Sequence, residues 1–326
     1  VLCENKGSIL LRTSFLTRVD LFITSDPVNV HYILNSKFSV YQRSSEFRRS
    51  FDFLGDSVYV KDLDEWKEGK KHIHGFYKES DFHESAPTII RRVIERGLVP
   101  VLDRASQDGR AVDLQDLSSR FMLDTTGILA SGSDLGSVRV GFPKCDLLEA
   151  MDDMGEAVFW RYVLPESVWT AQRWMGIGRE KKMREACKVF AKTLDDFMAT
   201  NPESDELFNV IKYFKDGERV PQNLVDRSFI SSNLMTLFFA GRDTSGSALT
   251  WFFHLMSTNP DAKTKILDEL RGIAPPSGNH IFSSFEENNQ MVYLHCALYE
   301  TLRLYPPVPL LIREATQDDT LPSGHK

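Results

Sequence analysis

Leu237-Phe238-Phe239-Ala240-Gly241-Arg242-Asp243-Thr244-Ser245-Gly246-Ser247-Ala248-Leu249-Thr250-Trp251-Phe252 lies in the most apolar part of the chain, Leu234 to Met256, yet carries two opposite charges, alcohols and glycines at its centre. Leu234, Leu237, Phe238, Gly241, Ser245, Ala248, Phe252 and Leu255 advance in steps of three and four, which predicts one long helix over about 224–258. Phe239, Leu249 and Trp251 are apolar on its other faces, so this helix is expected to be buried on most sides. Glycine inside a helix costs about 1 kcal/mol relative to alanine, and burying a charge costs more. Thr244 can donate back to the Ala240 carbonyl, and Gly241 lets another group approach the backbone, so a kink or widened turn is expected there. An acid beside an alcohol on such a helix suits the relay of protons to a bound species. An ion pair between helices beside a packing glycine accounts for the same residues.

The remainder predicts a mainly α fold with a minor β part. Gly7 to Asp26 holds two short apolar runs, GSILLRTS and VDLFITSDP, that read as a β-hairpin. Asp26 and Pro27 provide an N-cap and a first helical residue, with Val28, Val30, Ile33 and Leu34 following at helical spacing. A loop with Phe47, Phe51 and Phe53 comes next. Helices are predicted over 62–78, 86–104 and 114–130, then over 147–200 with breaks near Pro165 and at Gly176 and Gly178. Asn259 and Pro260 open a helix over 261–272. Ser284 and Glu287 can form a capping box before a helix over 289–305, which Pro306, Pro307 and Pro309 end.

Composition narrows the function. With 326 residues, 42% apolar and 26% charged, the chain is globular in character and long enough to bury a sizeable core. A net charge of -7 argues against a protein that tracks nucleic-acid phosphates. Cys3, Cys145, Cys187 and Cys296 form no CxxC pair, so neither a disulfide framework nor a zinc cluster is suggested, and a reducing compartment fits. No stretch reads as a membrane span, and the chain opens on Val1, so an anchor or targeting segment is expected ahead of it.

Glu300 and Arg303 lie three residues apart on one helical face, a pair common on surfaces and worth a few tenths of a kcal/mol, about 0.2–0.5. Here they follow the glycine-acid-threonine helix and precede the turn PPVP. In that order these features resemble the cytochrome P-450 haem-thiolate monooxygenases. The resemblance implies catalytic roles for Asp243, in delivering protons through water, and Thr244, in holding bound oxygen. It implies that Ala240 and Gly241 border haem b, that Trp66 and Lys70 match a W-x-x-x-R/K helix contacting a propionate, and that Arg313 contacts another. Glu300 and Arg303 become a structural pair. Phe238, Val308, Leu310 and Leu311 would hold an aliphatic substrate, with Phe47, Phe51 and Phe53 lining its access. A methylene chain gains about 0.8 kcal/mol per buried CH2, so pocket depth can sense its length. Electrons would come from NADPH through a reductase, at the cytosolic face of the endoplasmic reticulum membrane.

FDFLGDSVYVKDLDEWKEGKKH, YVLPESVWTAQRWMGIGREKKMREA, LFFAGRDTSGSALTWFFHLMSTNP and LPSGHK are similar to plant members of that family that hydroxylate long-chain fatty acids and alkanes. The family's iron-binding F-x-x-G-x-R-x-C-x-G loop and its P-E-R-F-like segment have no counterpart here, and none of the four cysteines has the loop's neighbourhood. The chain is therefore expected to be one incomplete domain over 1–326, with a β-rich edge at about 7–26 and the E-x-x-R helix at about 289–305, lacking the front anchor and the rear Cys loop. An inactive fragment without stable haem, or a helical lipid-binding or interaction protein, are the alternatives.

Overall fold

In the computed structural model the residues described are 7–12, 20–199, 208–215, 226–273 and 285–325. The predicted hairpin forms: β1, Ser8–Arg12, pairs antiparallel with β2, Asp20–Thr24, and the Ser8 and Thr24 hydroxyls share a 2.8 Å hydrogen bond. Asp26 caps α1, Pro27–His31, by accepting from the Val28 N–H at 2.8 Å. The chain then widens into a π-helical turn, Tyr32–Ser36, and Val28 and Val30 stay exposed instead of forming a buried stripe. β3, Tyr41–Gln42, pairs with the distant β4, Glu314–Ala315, a contact that so short a pair of strands does not announce in sequence. The expected Phe-rich loop contains α2, Ser45–Ser50, capped by Ser44, and a 3-10 turn, Asp52–Leu54.

Next come α3, Leu63–Lys78, α4, Ser80–Val93, α5, Val99–Asp108, and α6, Leu114–Ser131. A π-helical turn, Ile94–Leu98, divides α4 from α5 where the periodicity predicts one helix. The long region after it breaks where its Pro and Gly residues demand: α7, Asp146–Val163, α8, Glu166–Met175, and α9, Gly178–Ala199, with Gly176 left-handed at φ 66°. Short α10, Val210–Lys215, precedes α11, Arg227–Thr258, and α12, Pro260–Ile273. Asn259, expected to cap α12, instead donates its amide to the Leu255 carbonyl of α11 at 2.9 Å.

The predicted helix over 289–305 is two pieces, α13, Phe285–Gln290, and α14, Val292–Leu304, broken at Met291. Ser284 of the expected capping box lies outside the described residues. The first amides of α14 are satisfied from α12, whose Glu269 carboxylate accepts from the Tyr293 and Leu294 N–H groups at 2.8 and 2.9 Å, where a negative charge also favours the helix dipole. Among the described residues no helix is long and apolar enough to cross a membrane.

The chain divides into two compact units. In one, Val1–Lys71 with Asp152–Lys188 and Leu311–Lys326, distant segments of the chain are tied by polar bonds. Fully buried Asn29 donates to Ser323 Oγ at 2.9 Å, and Asp319 accepts from the Tyr32 and Tyr41 hydroxyls at 3.2 and 3.1 Å. Deeper in this unit is a charge-balanced network. Arg161 donates twice to Glu180, at 2.7 and 2.8 Å, and also to Asp52 and the Ser50 carbonyl. Arg173 bridges Glu180 and Asp52 at 3.0 and 2.7 Å, and the two guanidiniums each sit about 5 Å from the Trp169 ring, at 5.2 and 5.1 Å.

In the other unit, His72–Met151 with Val189–Leu310, α6 packs along α11, and Ile89, Val93, Val101, Leu117, Ile128 and Val138 form a dry cluster beneath α4 and α5. Each such side chain contributes roughly 1.5–3 kcal/mol on burial.

The Arg161 and Glu180 side chains are 1% and 2% exposed, so removing one leaves an uncompensated buried charge. Arg161→Ala is expected to lower unfolding free energy by about 3–5 kcal/mol in urea titration, whereas Arg161→Met combined with Glu180→Leu should cost far less.

Candidate functional site

α11 runs unbroken through 240–245, so the widened turn suggested by sequence does not form. The expected back-bond does: the Thr244 hydroxyl donates to the Ala240 carbonyl at 2.5 Å, leaving its oxygen free to accept. Burial varies along the helix: Ser232, Asn233, Leu234 and Met235 are all buried, as are Ile230, Phe238 and Arg242, while Ala240 is exposed and the Asp243 side chain keeps 50% of its surface open. The Arg242 Nη1 stands 3.2 Å from Asp243 Oδ1. Buried cation and half-open carboxylate are thus neighbours on the same helix, and Asp243 keeps the access to solvent that a proton donor requires.

Two expected roles change. Gly241 turns toward α6, where an added Cβ would stand 2.7 Å from Thr126 Oγ1, so it serves close packing of helices rather than a cofactor face. Phe238, expected along a substrate chain, is fully enclosed, edge-on to Phe190 at 5.5 Å and stacked with Phe197 at 6.0 Å. Val308 and Leu310 are exposed beyond α14. The segment leading to them is held by a stack of Tyr305 on Trp251 of α11, ring centroids 3.9 Å apart and planes within 7°. Sequence places Trp251 on an apolar face without a partner and gives Tyr305 no role; a Tyr just before a proline turn was the available signal.

α14 packs along α11 and presents Glu300 and Arg303 on its exposed face. Their contact is bidentate, Arg303 Nε and Nη2 donating to the two carboxylate oxygens at 2.7 and 2.6 Å. The bond from Arg303 holds the Glu300 carboxyl below its ordinary pKa, and the same bond raises that of Arg303. Cys296 is exposed; Cys145 and Cys187 are half-buried, and Cys3 lies outside the described residues. Burial pushes the Cys187 thiol up to about 11, which keeps it protonated and unreactive at neutral pH.

The other unit holds the basic residues. Trp66 packs against Phe38 at 5.2 Å, and Lys70 Nζ lies 4.6 Å from the Trp66 ring centroid, as residues four apart on α3 allow. Arg313 is half-buried and donates to the Ile312 carbonyl at 2.8 Å; burial lowers its pKa, the Arg43 charge adds to that, and Asp62 opposes it. Phe51 joins Phe47, Tyr59, Phe53 and Tyr162 in one aromatic cluster, with centroids 4.8 to 6.3 Å from its own. Leu311 is exposed. An ammonium held on an indole and a half-buried guanidinium are each suited to a carboxylate, and in that chemistry each fits a propionate of a haem.

The family model described as Cytochrome P-450 matches residues 10–325. The chain is 35% identical to the alkane hydroxylase MAH1 of Arabidopsis thaliana, over 96% of this chain and 63% of that protein. It is 30% identical to a noroxomaritidine synthase 2 of Narcissus aff. pseudonarcissus MK-2014, over 98% of this chain and 64% of that protein. The chain therefore spans less than two thirds of the length of these relatives. In fold it matches a cytochrome P-450 crystal structure with a TM-score of 0.73 at 17% identity, over 98% of this chain and 70% of that one.

Gly241→Ala should destabilise by about 1–3 kcal/mol in urea titration despite alanine's better helix propensity, and Thr126→Ala should recover much of the loss, since it removes the atoms that clash. The Glu300 carboxyl should titrate below an ordinary glutamate by NMR. Its contribution to stability is present above the unfolded pKa and is lost as pH falls through the lowered one. Arg303→Met should return that titration to the ordinary range.

Proposed function

The chain belongs to the cytochrome P-450 family, and on that footing we propose that it is the oxygen-activating part of a haem-dependent monooxygenase acting on long aliphatic chains, fatty acids or alkanes, with electrons supplied from NADPH by a reductase at the endoplasmic reticulum membrane. A bound haem would supply oxygen binding and one-electron chemistry. The chain's own residues do the rest. Lys70, Trp66 and Arg313 would hold the propionates by charge and hydrogen bonding. Thr244, with its proton committed to the Ala240 carbonyl, would offer its oxygen as a hydrogen-bond acceptor, and Asp243 would hand protons from solvent to that place. Val308, Leu310 and Leu311 offer exposed apolar surface for methylenes.

The observation that carries this reading is the acid–alcohol pair on an unbroken helix, with the alcohol pinned to the backbone and the acid open to water. The relative in Arabidopsis named as an alkane hydroxylase favours the aliphatic class of substrate.

In the full-length, haem-loaded protein supplied with reductase and a C16 alkane or acid, Thr244→Ala should leave haem content unchanged while product formed per NADPH consumed falls severalfold. Unaltered coupling would confine Thr244 to its bond with Ala240. Absence of any hydroxylated product from the unsubstituted protein would remove the proposed activity itself.

A further inference from the structure

We propose that Trp251 and Tyr305 form a redox site, a stacked pair that takes one oxidising equivalent from the Thr244 face of α11 and passes it to the surface. Their ring centroids are 3.9 Å apart and their planes within 7°. Neutral aromatic pairs ordinarily avoid that arrangement, because like faces of two rings repel, and settle offset or edge-on with centroids about 4.5–7 Å apart. Two other parallel pairs are wider, Phe76 with Phe208 at 5.3 Å and Phe197 with Phe238 at 6.0 Å. Those are built of phenylalanine, whereas the close pair joins indole to phenol, the two most easily oxidised rings in proteins.

Loss of one electron turns this unfavourable overlap into a favourable one. A cation is attracted to the face of an aromatic ring, so positive charge created on either member is stabilised by the face opposite. Trp251 lies seven residues beyond Thr244 on unbroken α11, which puts it on the same face, within about 20° of two full turns, and about 10 Å along the axis. The pair also opens to solvent: Trp251 keeps 36% of its surface exposed, and exposed His254 stands edge-on to it at 5.6 Å. In the step itself Trp251 gives one electron to the oxidant, which is reduced by one. Tyr305 then refills Trp251 and loses its phenolic proton to water. A thiol in solution returns one electron and one proton to Tyr305 and ends as its thiyl radical.

The source of the oxidant rests on the proposed function, in which oxygen activated beside Thr244 is left unused when no substrate is bound. The pair itself is tested without haem. Azide radicals generated by pulse radiolysis oxidise tryptophan, and a Trp174→Phe background removes the competing indole that is 87% exposed. In that chain the indolyl absorption should decay while the tyrosyl absorption grows in at a rate independent of protein concentration. Tyr305→Phe keeps the ring and hence the stack, so a purely structural pair predicts no change, whereas the redox site predicts loss of most of the tyrosyl growth. Trp251→Phe should lose it as well, and it carries the test if the Tyr305 variant does not fold.

In haem-loaded protein given hydrogen peroxide and no substrate, Tyr305→Phe should abolish the tyrosyl signal in freeze-quenched electron paramagnetic resonance spectra and hasten bleaching of the haem severalfold. Tyrosyl growth absent before substitution, or undiminished in both variants, overturns the redox site while leaving the proposed function standing. Bleaching that Tyr305→Phe does not change overturns transfer from the Thr244 face. Protein that takes up no haem removes the proposed function, and the radiolysis result still decides the pair.

Discussion

The close approach of α6 and α11 is the constraint on which the larger unit depends. Gly241 makes it possible: an added Cβ there would stand 2.7 Å from Thr126 Oγ1, whereas at Gly246 it would only reach ordinary contact, 3.5 Å, with the Ser118 backbone. The fit of Thr126 against Gly241 limits the freedom of α11 to turn about its own axis. The rotation so fixed leaves Asp243 open and Phe238 enclosed. α6 is itself held rigidly. Buried Asp124 accepts from the Ser137 N–H and hydroxyl and from the Val138 N–H at 2.7 to 2.9 Å, and Arg120 reaches the Ser137 and Pro143 carbonyls. Burial raises the Asp124 pKa while those hydrogen bonds pull it back. The site on α11 is therefore positioned by residues that take no part in its chemistry.

The smaller unit is organised by the opposite means. Arg161, Glu180, Arg173 and Asp52 bring charges of both signs into contact where apolar side chains would have been energetically easier. What charge adds is direction: a bidentate guanidinium admits one arrangement of the 3-10 turn at Asp52, and with it one placement of Phe51 in its aromatic cluster. Arg43 and Asp62 repeat the device just ahead of α3, where Arg48 reaches the same carboxylate.

Elements governed by local rules were legible in the sequence. The hairpin, the Asp26 cap with Pro27, the breaks at Pro165 and Gly176 and the length of α11 all follow from period, cap or breaker residues. Departures arose where a partner distant in sequence decides the outcome. β3 exists because β4 reaches it, and Glu269 takes the amides of α14. The π-helical turn at Ile94 interrupts a pattern whose apolar period hardly changes. For the site, the family resemblance and not the spacing joined Asp243, Thr244, Glu300 and Arg303 as a set, and the directions in which Gly241 and Phe238 face depend on rotation about the α11 axis, which is a packing property.

The bond between Asn29 and Ser323 joins residues 294 apart in the chain. That separation has a temporal meaning during synthesis. At roughly 5–20 residues per second, a ribosome that has released Asn29 needs on the order of 15–60 s to deliver Ser323. For that interval the hairpin and α1 exist without the segment that Ser323 brings, and the Asn29 amide has its bond to Thr24 Oγ1 but not the other.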